Sequence, residues 1–130
     1  MRQILVAAIA AAALPLGTSM ALAQAAPAKS ANTEIGSVLV DAQKGMTLYI
    51  LDRDTTPGKS SCNDQCATNW PPLMASADAK PVGDYTIAAR DDGSKQWAFK
   101  GKPLYYWKDD KKPGDTAGDN RGNVWHVVKQ

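Results

Sequence analysis

Histidine occurs once in this 130-residue chain, phenylalanine once and cysteine twice. That scarcity removes whole classes of chemistry. A Ser-His-Asp or Cys-His-Asn set around His126 would need partners that no local pattern supplies. Blue-copper sites take two His and one Cys, so a single histidine does not make one. Cys62 and Cys66 enclose three residues, whereas thioredoxin-like pairs enclose two and haem attachment requires Cys-x-x-Cys-His. An excess of one charge is also missing. With 15 basic and 13 acidic residues the formal net charge is +2, which gives no field for nucleic acid or an anionic lipid surface. The apolar run from Ile4 to Leu16 falls short of the ~20 residues a membrane-spanning helix needs and is broken by Pro15.

What that run does fit is an export signal. Arg2 supplies the positive start, the apolar stretch follows, and Ala21-Leu22-Ala23 is an A-x-A cleavage site before Gln24. The expectation is a signal peptide over 1–23, cleaved after Ala23, and a periplasmic or secreted protein with no transmembrane segment left. No cysteine lies at the cleavage region to carry a lipid. Removing residues 1–23 leaves 107 residues, enough for one domain, and lowers the formal charge to +1. Residues 24–34 are Ala-rich and polar without apolar periodicity, and read as a disordered tether.

All nine aromatic residues lie between Tyr49 and Trp125, in a stretch with no helical period. Short apolar runs bounded by Gly, Pro, Asn and Asp are the punctuation of an all-β domain. Strands are expected at Ser37–Ala42, Met46–Leu51, Tyr85–Ala89, Gln96–Phe99, Leu104–Trp107 and Val124–Val128. Asp91-Asp92-Gly93-Ser94 is a hairpin signal, because Asp-Gly tolerates positive φ. The one helix candidate, around Cys62–Asn69, is stopped by Pro71.

The chain also repeats itself. Residues 44–58 and 100–114 align at a constant offset of 56 with seven of fifteen positions identical: Lys, Gly, Leu, Tyr, Asp, Pro and Gly. About one match is expected by chance at average residue usage. Trp70 and Trp125 follow at an offset of 55. The expected architecture is a small single domain, 35–130, built from two pseudo-symmetric β repeats (copies about 35–76 and 85–128) that bury their aromatics between them. Tyr105 and Trp107 should share one face of their strand and Leu104 and Tyr106 the other, so that the strand is covered on both sides.

Tyr105-Tyr106-Trp107-Lys108-Asp109-Asp110 has the form Tyr-x-aromatic-x-x-Asp. Together with Cys66-Ala67-Thr68-Asn69-Trp70-Pro71-Pro72-Leu73 and Trp125-His126-Val127-Val128, it resembles the bacterial family described as secreted repeat of unknown function, whose members are often called predicted lipoproteins. The resemblance spans about Ile35 to Val128 and implies a periplasmic or extracellular module. In the first copy Leu51 stands where the motif has an aromatic, so only the second copy matches in full.

Each chemically suggestive group has a plain structural alternative. Two cysteines in an exported protein point to a Cys62–Cys66 disulfide, with redox activity or metal ligation as the alternatives. Asp64 between the thiols would raise their pKa and so disfavours a reactive thiolate. Asp54 and Asp110 read as caps on the loops after Tyr49 and Tyr105. The sharper alternative is a cation site in the Asp/Asn-rich second loop, where Asp110, Asp115 and Asp119 are the candidate ligands. His126 reads as a strand histidine. Tyr49, Tyr105 and Trp107 read mainly as core; Trp70, Trp125 and His126 are the candidates for binding a hydrophobic or sugar-like ligand. No base–nucleophile pair is legible and no cofactor is called for. Two functional readings follow: a non-catalytic exported module that binds a small ligand or an envelope partner, and a small periplasmic redox, metal- or haem-handling protein using Cys62, Cys66 and His126.

Overall fold

The structure is a computed structural model that describes residues 25–130. Their regular structure is mostly strand, and the described residues are all-β apart from one short helix and a 3-10 turn. The expected signal peptide over 1–23 lies outside the described residues.

The chain opens with a hairpin. Strand β1 (Ala28–Thr33) pairs antiparallel with β2 (Gly36–Asp41) from Ala28↔Asp41 to Thr33↔Gly36. The tether expected over 24–34 is therefore corrected: six of its residues form a strand. Composition concealed it because β1 is held by its backbone ladder and buries only Ala28, leaving no apolar alternation to read. The turn is fixed by the Thr33 hydroxyl, which donates to the Gly36 carbonyl and accepts from the Ile35 N–H.

The rest of the chain comprises β3 (Tyr49–Leu51), α1 (Gln65–Asn69), β4 (Met74–Ala75), β5 (Tyr85–Ala89), β6 (Lys95–Phe99), β7 (Lys102–Pro103), a 3-10 turn over Arg121–Asn123, and β8 (Trp125–Val127). The Asp-Gly hairpin forms as expected between β5 and β6, with Gly93 at φ +86 and Asp92 Oδ1 accepting from the Ser94 N–H and hydroxyl. The strand expected at Met46–Leu51 is shortened to β3, and the one expected at Leu104–Trp107 is corrected: β7 ends at Pro103 and only Tyr105 makes bridges beyond it, for a reason the two segments share. Each changes partner at its tyrosine. Leu48 N–H bonds the Leu39 carbonyl and Leu104 N–H the Trp97 carbonyl, both within the same copy. One residue later, Tyr49 and Tyr105 bond each other across the copies, N–H to carbonyl in both directions at 2.8 and 3.0 Å.

From that central pair onward each copy completes the other. Strand β8 of the second copy pairs with β3 of the first, Tyr49↔Val127 to Leu51↔Trp125. Reciprocally, the end of the first copy joins the second: Pro72 bridges Tyr105, Tyr106 N–H bonds the Pro71 carbonyl, Leu73 N–H bonds the Leu104 carbonyl, and β4 pairs with β6. The glycine turns follow the same rule. Gly45 (φ +74) lies against Pro113 and Gly101 (φ +84) against Pro57, with 3.4 Å to the proline Cβ from the position a glycine Cβ would take in each case. The two repeats are thus interlocked about an approximate twofold axis between Tyr49 and Tyr105.

The core has two parts, set by the period-two alternation of strands. Tyr49, Trp70, Tyr105, Trp107, Trp125 and Val127 belong to one; Leu48, Leu73, Trp97, Leu104 and Val128 belong to the other, with Tyr106 packed against it. The expected division of Tyr105 and Trp107 from Leu104 and Tyr106 is what is found.

Candidate functional site

The most repeated chemistry in the sequence is the tyrosine followed five residues later by aspartate, and its geometry is reciprocal. Tyr49 donates its hydroxyl to Asp110 Oδ2 at 2.6 Å, and Tyr105 donates to Asp54 Oδ2 at 2.6 Å. Each tyrosine therefore grips the aspartate of the other copy. The second carboxylate oxygen does the capping expected from sequence: Asp54 Oδ1 accepts from the Ser61 N–H and hydroxyl, and Asp110 Oδ1 from the Ala117 N–H.

The surroundings of the two pairs differ. Beside Asp54, Tyr105 shares a 2.7 Å hydrogen bond with Ser60, and the buried Arg90 donates to Ser60 Oγ, to Gln96 Oε1 and to the Cys62 carbonyl. Among the described residues the hydrogen bonds to Asp110 come from Tyr49 and Ala117, neither of them a cation. Burial raises its carboxyl above the usual range, against the lowering effect of the Tyr49 and Ala117 hydrogen bonds. Tyr49 also accepts the Gly118 N–H at 3.2 Å.

Burial raises the Tyr49 and Tyr105 hydroxyls well above their ordinary 10.0, and the hydrogen bonds to Asp110 and Asp54 push further in the same direction. Their folded-state pKa values exceed the unfolded ones. Their contribution to stability is therefore complete below the ordinary phenol value and is lost as pH rises above it. Each buried tyrosine gives a slope of about 1.4 kcal/mol per pH unit there. In a spectrophotometric alkaline titration, ionisation of these two tyrosines should accompany unfolding. Their ionisation in a still-folded chain would contradict this reading.

The tryptophans form a second feature. Trp70, just past α1, and Trp125, at the start of β8, stack with ring centroids 3.8 Å apart and planes 4° from parallel. Trp107 leans on Trp70 at 4.3 Å, while Tyr49 and Tyr105 meet Trp70 and Trp125 edge-on. The Cys62–Cys66 disulfide is closed and ties α1 to the preceding loop, with Cys62 fully buried. The three tryptophans line a cleft of about 430 Å³ between the loops of the two copies. Arg53 of the first copy and Arg121 of the second flank it, and the Arg121 guanidinium lies 4.6 Å from the Trp107 ring centroid. The Trp107 indole Nε1–H is buried and has no hydrogen-bond partner among the described residues.

Of the ligand-binding candidates, Trp70 and Trp125 thus come together, while His126 does not line the cleft. On β8 it alternates away from Trp125. Its Nε2 lies 2.9 Å from Asp52 Oδ2 and its Nδ1 3.1 Å from Asn120 Oδ1. The candidate cation ligands are dispersed in separate turns: Asp110 as above, Asp115 accepting from Lys111 and Lys112 N–H, and Asp119 from Val127 N–H. Among the described residues no three His, Cys, Asp or Glu side chains are placed to hold a metal ion. Arg53 and Arg121 were not singled out from sequence. They lie in unrelated loops, and only the fold brings them to one cleft.

A family model described as "Secreted repeat of unknown function" matches residues 29–74 and again 86–129. No curated protein and no solved structure matches the chain.

Proposed function

This chain belongs to the family of secreted repeats of unknown function, and from that premise we propose that it is an exported, non-catalytic module that binds a small ligand in the tryptophan cleft between its two copies. The observation that carries this is the cleft itself: an aromatic wall supplied by both repeats, flanked by polar side chains and open to solvent. The repeat motif serves the scaffold. Asp54 and Asp110 each commit both carboxylate oxygens to buried or part-buried hydrogen bonds, and their tyrosines are fully buried. Nothing in the geometry joins the closed Cys62–Cys66 pair to His126, so the redox or metal-handling alternative gains no support from it. Among the described residues no helix is long and apolar enough to cross a membrane. A periplasmic location with cleavage after Ala23 belongs to the same proposal.

Asn69 lines the cleft and is partly buried, so enlarging it fills the space without opening the core. In calorimetric titrations with naphthoate and its neutral counterpart naphthamide, at least one should bind saturably, and Asn69→Phe should abolish binding. The proposal fails if neither binds, or if Asn69→Phe leaves binding unchanged.

A further inference from the structure

Charge distinguishes the tryptophan cleft from its neighbours. Arg53 and Arg121 both line it, and none of its lining residues is acidic. The four other clefts described each carry at least one acidic residue: Asp41, Asp54 with Asp91, Asp84, and Glu34 with Asp115. In a chain whose charges nearly cancel, two cations from different copies meeting at one cleft without an acid is a local electrostatic arrangement. Leu51, Val124 and the tryptophan rings supply the apolar part of the lining. Arg121 is held over Trp107 by cation–π contact and by its Nε bond to the Ala117 carbonyl. That arrangement fixes the guanidinium against the aromatic wall. Arg53 lines the same cleft and is exposed. The tryptophans themselves are only 6–8% exposed, so the ligand contact they offer is apolar.

We propose that the cleft takes an amphipathic carboxylate, its apolar body packed against the tryptophans, Leu51 and Val124 and its anionic head held by Arg53 and Arg121. This rests on the ligand-binding reading above and narrows it to one ligand class. Arginine suits the role because its planar fork matches a carboxylate and stays charged at any relevant pH. The apolar wall supplies affinity, and the cations supply discrimination between the acid and its neutral isostere.

The test compares naphthoate with naphthamide on the purified chain with its disulfide intact. Naphthoate should bind at least about tenfold more tightly, and added salt should erode that advantage. The Arg53→Gln/Arg121→Gln double variant should lose about tenfold in naphthoate affinity while naphthamide binding stays the same. Near-UV circular dichroism confirms that the tryptophan stack survives in each variant; both arginines are exposed, so folding should be unaffected. Equal affinity for the two probes, or a double variant that binds both as well as the parent chain, would overturn the carboxylate assignment while leaving the cleft a binding site. Failure of both probes to bind would remove the binding reading itself.

Discussion

Gly118→Ala should be among the most destabilising single-methyl additions this chain can undergo. A Cβ at that position would meet the Trp70 and Tyr49 rings at 2.9 Å and Trp107 Cβ at 3.0 Å. These are inside van der Waals contact, and the atoms belong to buried aromatics that pack on one another. Overpacking of this kind costs about 1–3 kcal/mol, and here the upper end is expected because the added methyl would meet three side chains that already pack on one another. Gly118 is not at positive φ, so the penalty is one of space. Gly114→Ala is the useful comparison: its φ is +88 but nothing lies within 4 Å of the added methyl. Backbone strain there should cost about 1 kcal/mol. Urea denaturation of both variants gives the ranking, and a Gly118→Ala chain as stable as Gly114→Ala would show that the aromatic packing is looser than described.

Tyr49→Phe should cost about 2–4 kcal/mol, since it leaves a buried carboxylate oxygen of Asp110 without its donor. Tyr105→Phe orphans Asp54 Oδ2 likewise but should cost less, because Asp54 Oδ1 keeps two donors from Ser61 where Asp110 Oδ1 keeps one from Ala117, and Ser60 keeps the hydrogen bond from Arg90. The two variants also separate by pH. Asp110 is already raised by burial, and losing the Tyr49 hydrogen bond raises it further. A group whose folded pKa is raised stabilises fully below its unfolded value and loses that contribution as pH rises through the folded value. The Tyr49→Phe penalty should therefore shrink on acidification, and Asp110→Asn in the Tyr49→Phe background should recover part of the loss. A penalty independent of pH, or one no larger than for Tyr105→Phe, would contradict the assignment of Asp110 as a buried carboxylate held mainly by Tyr49.

The sequence carried the duplication, the all-β class and the closed cysteine ring because each has a local signature: the offset of 56, the Gly and Asp punctuation, and an even thiol count in an exported chain. The direction of the Tyr–Asp pairing was illegible for a physical reason. When both copies contain the same residues, Tyr49 with Asp54 and Tyr49 with Asp110 are the same chemistry, and only topology chooses between them. The edge strand Ala28–Thr33 was missed because backbone pairing leaves no side-chain periodicity. Trp70 and Trp125 were legible as site candidates by their matched spacing. His126 was grouped with them as Trp125's neighbour, although neighbouring strand residues face opposite ways. Arg53 and Arg121 had no signal at all, since exposed arginines in polar loops are ordinary.

The reciprocal contacts explain what the duplicated residues are for. Glycine turns that fit the other copy's proline, fully buried leucines and tyrosines that bind the other copy's aspartate account for most of the identical positions. The repeat is preserved where one copy holds the other, and the cleft lies where the copies differ.

Fragment complementation tests that interlocking most directly. Residues 25–79 and 80–130, prepared separately, each lack the strand that completes their sheet and the partner for their tyrosine hydroxyl. Near-UV circular dichroism of the tryptophan stack should be absent from either fragment alone and return when the two are mixed in equal amounts. A stable, cooperatively unfolding fragment with its own near-UV signal would show that the copies fold independently, and would contradict the account.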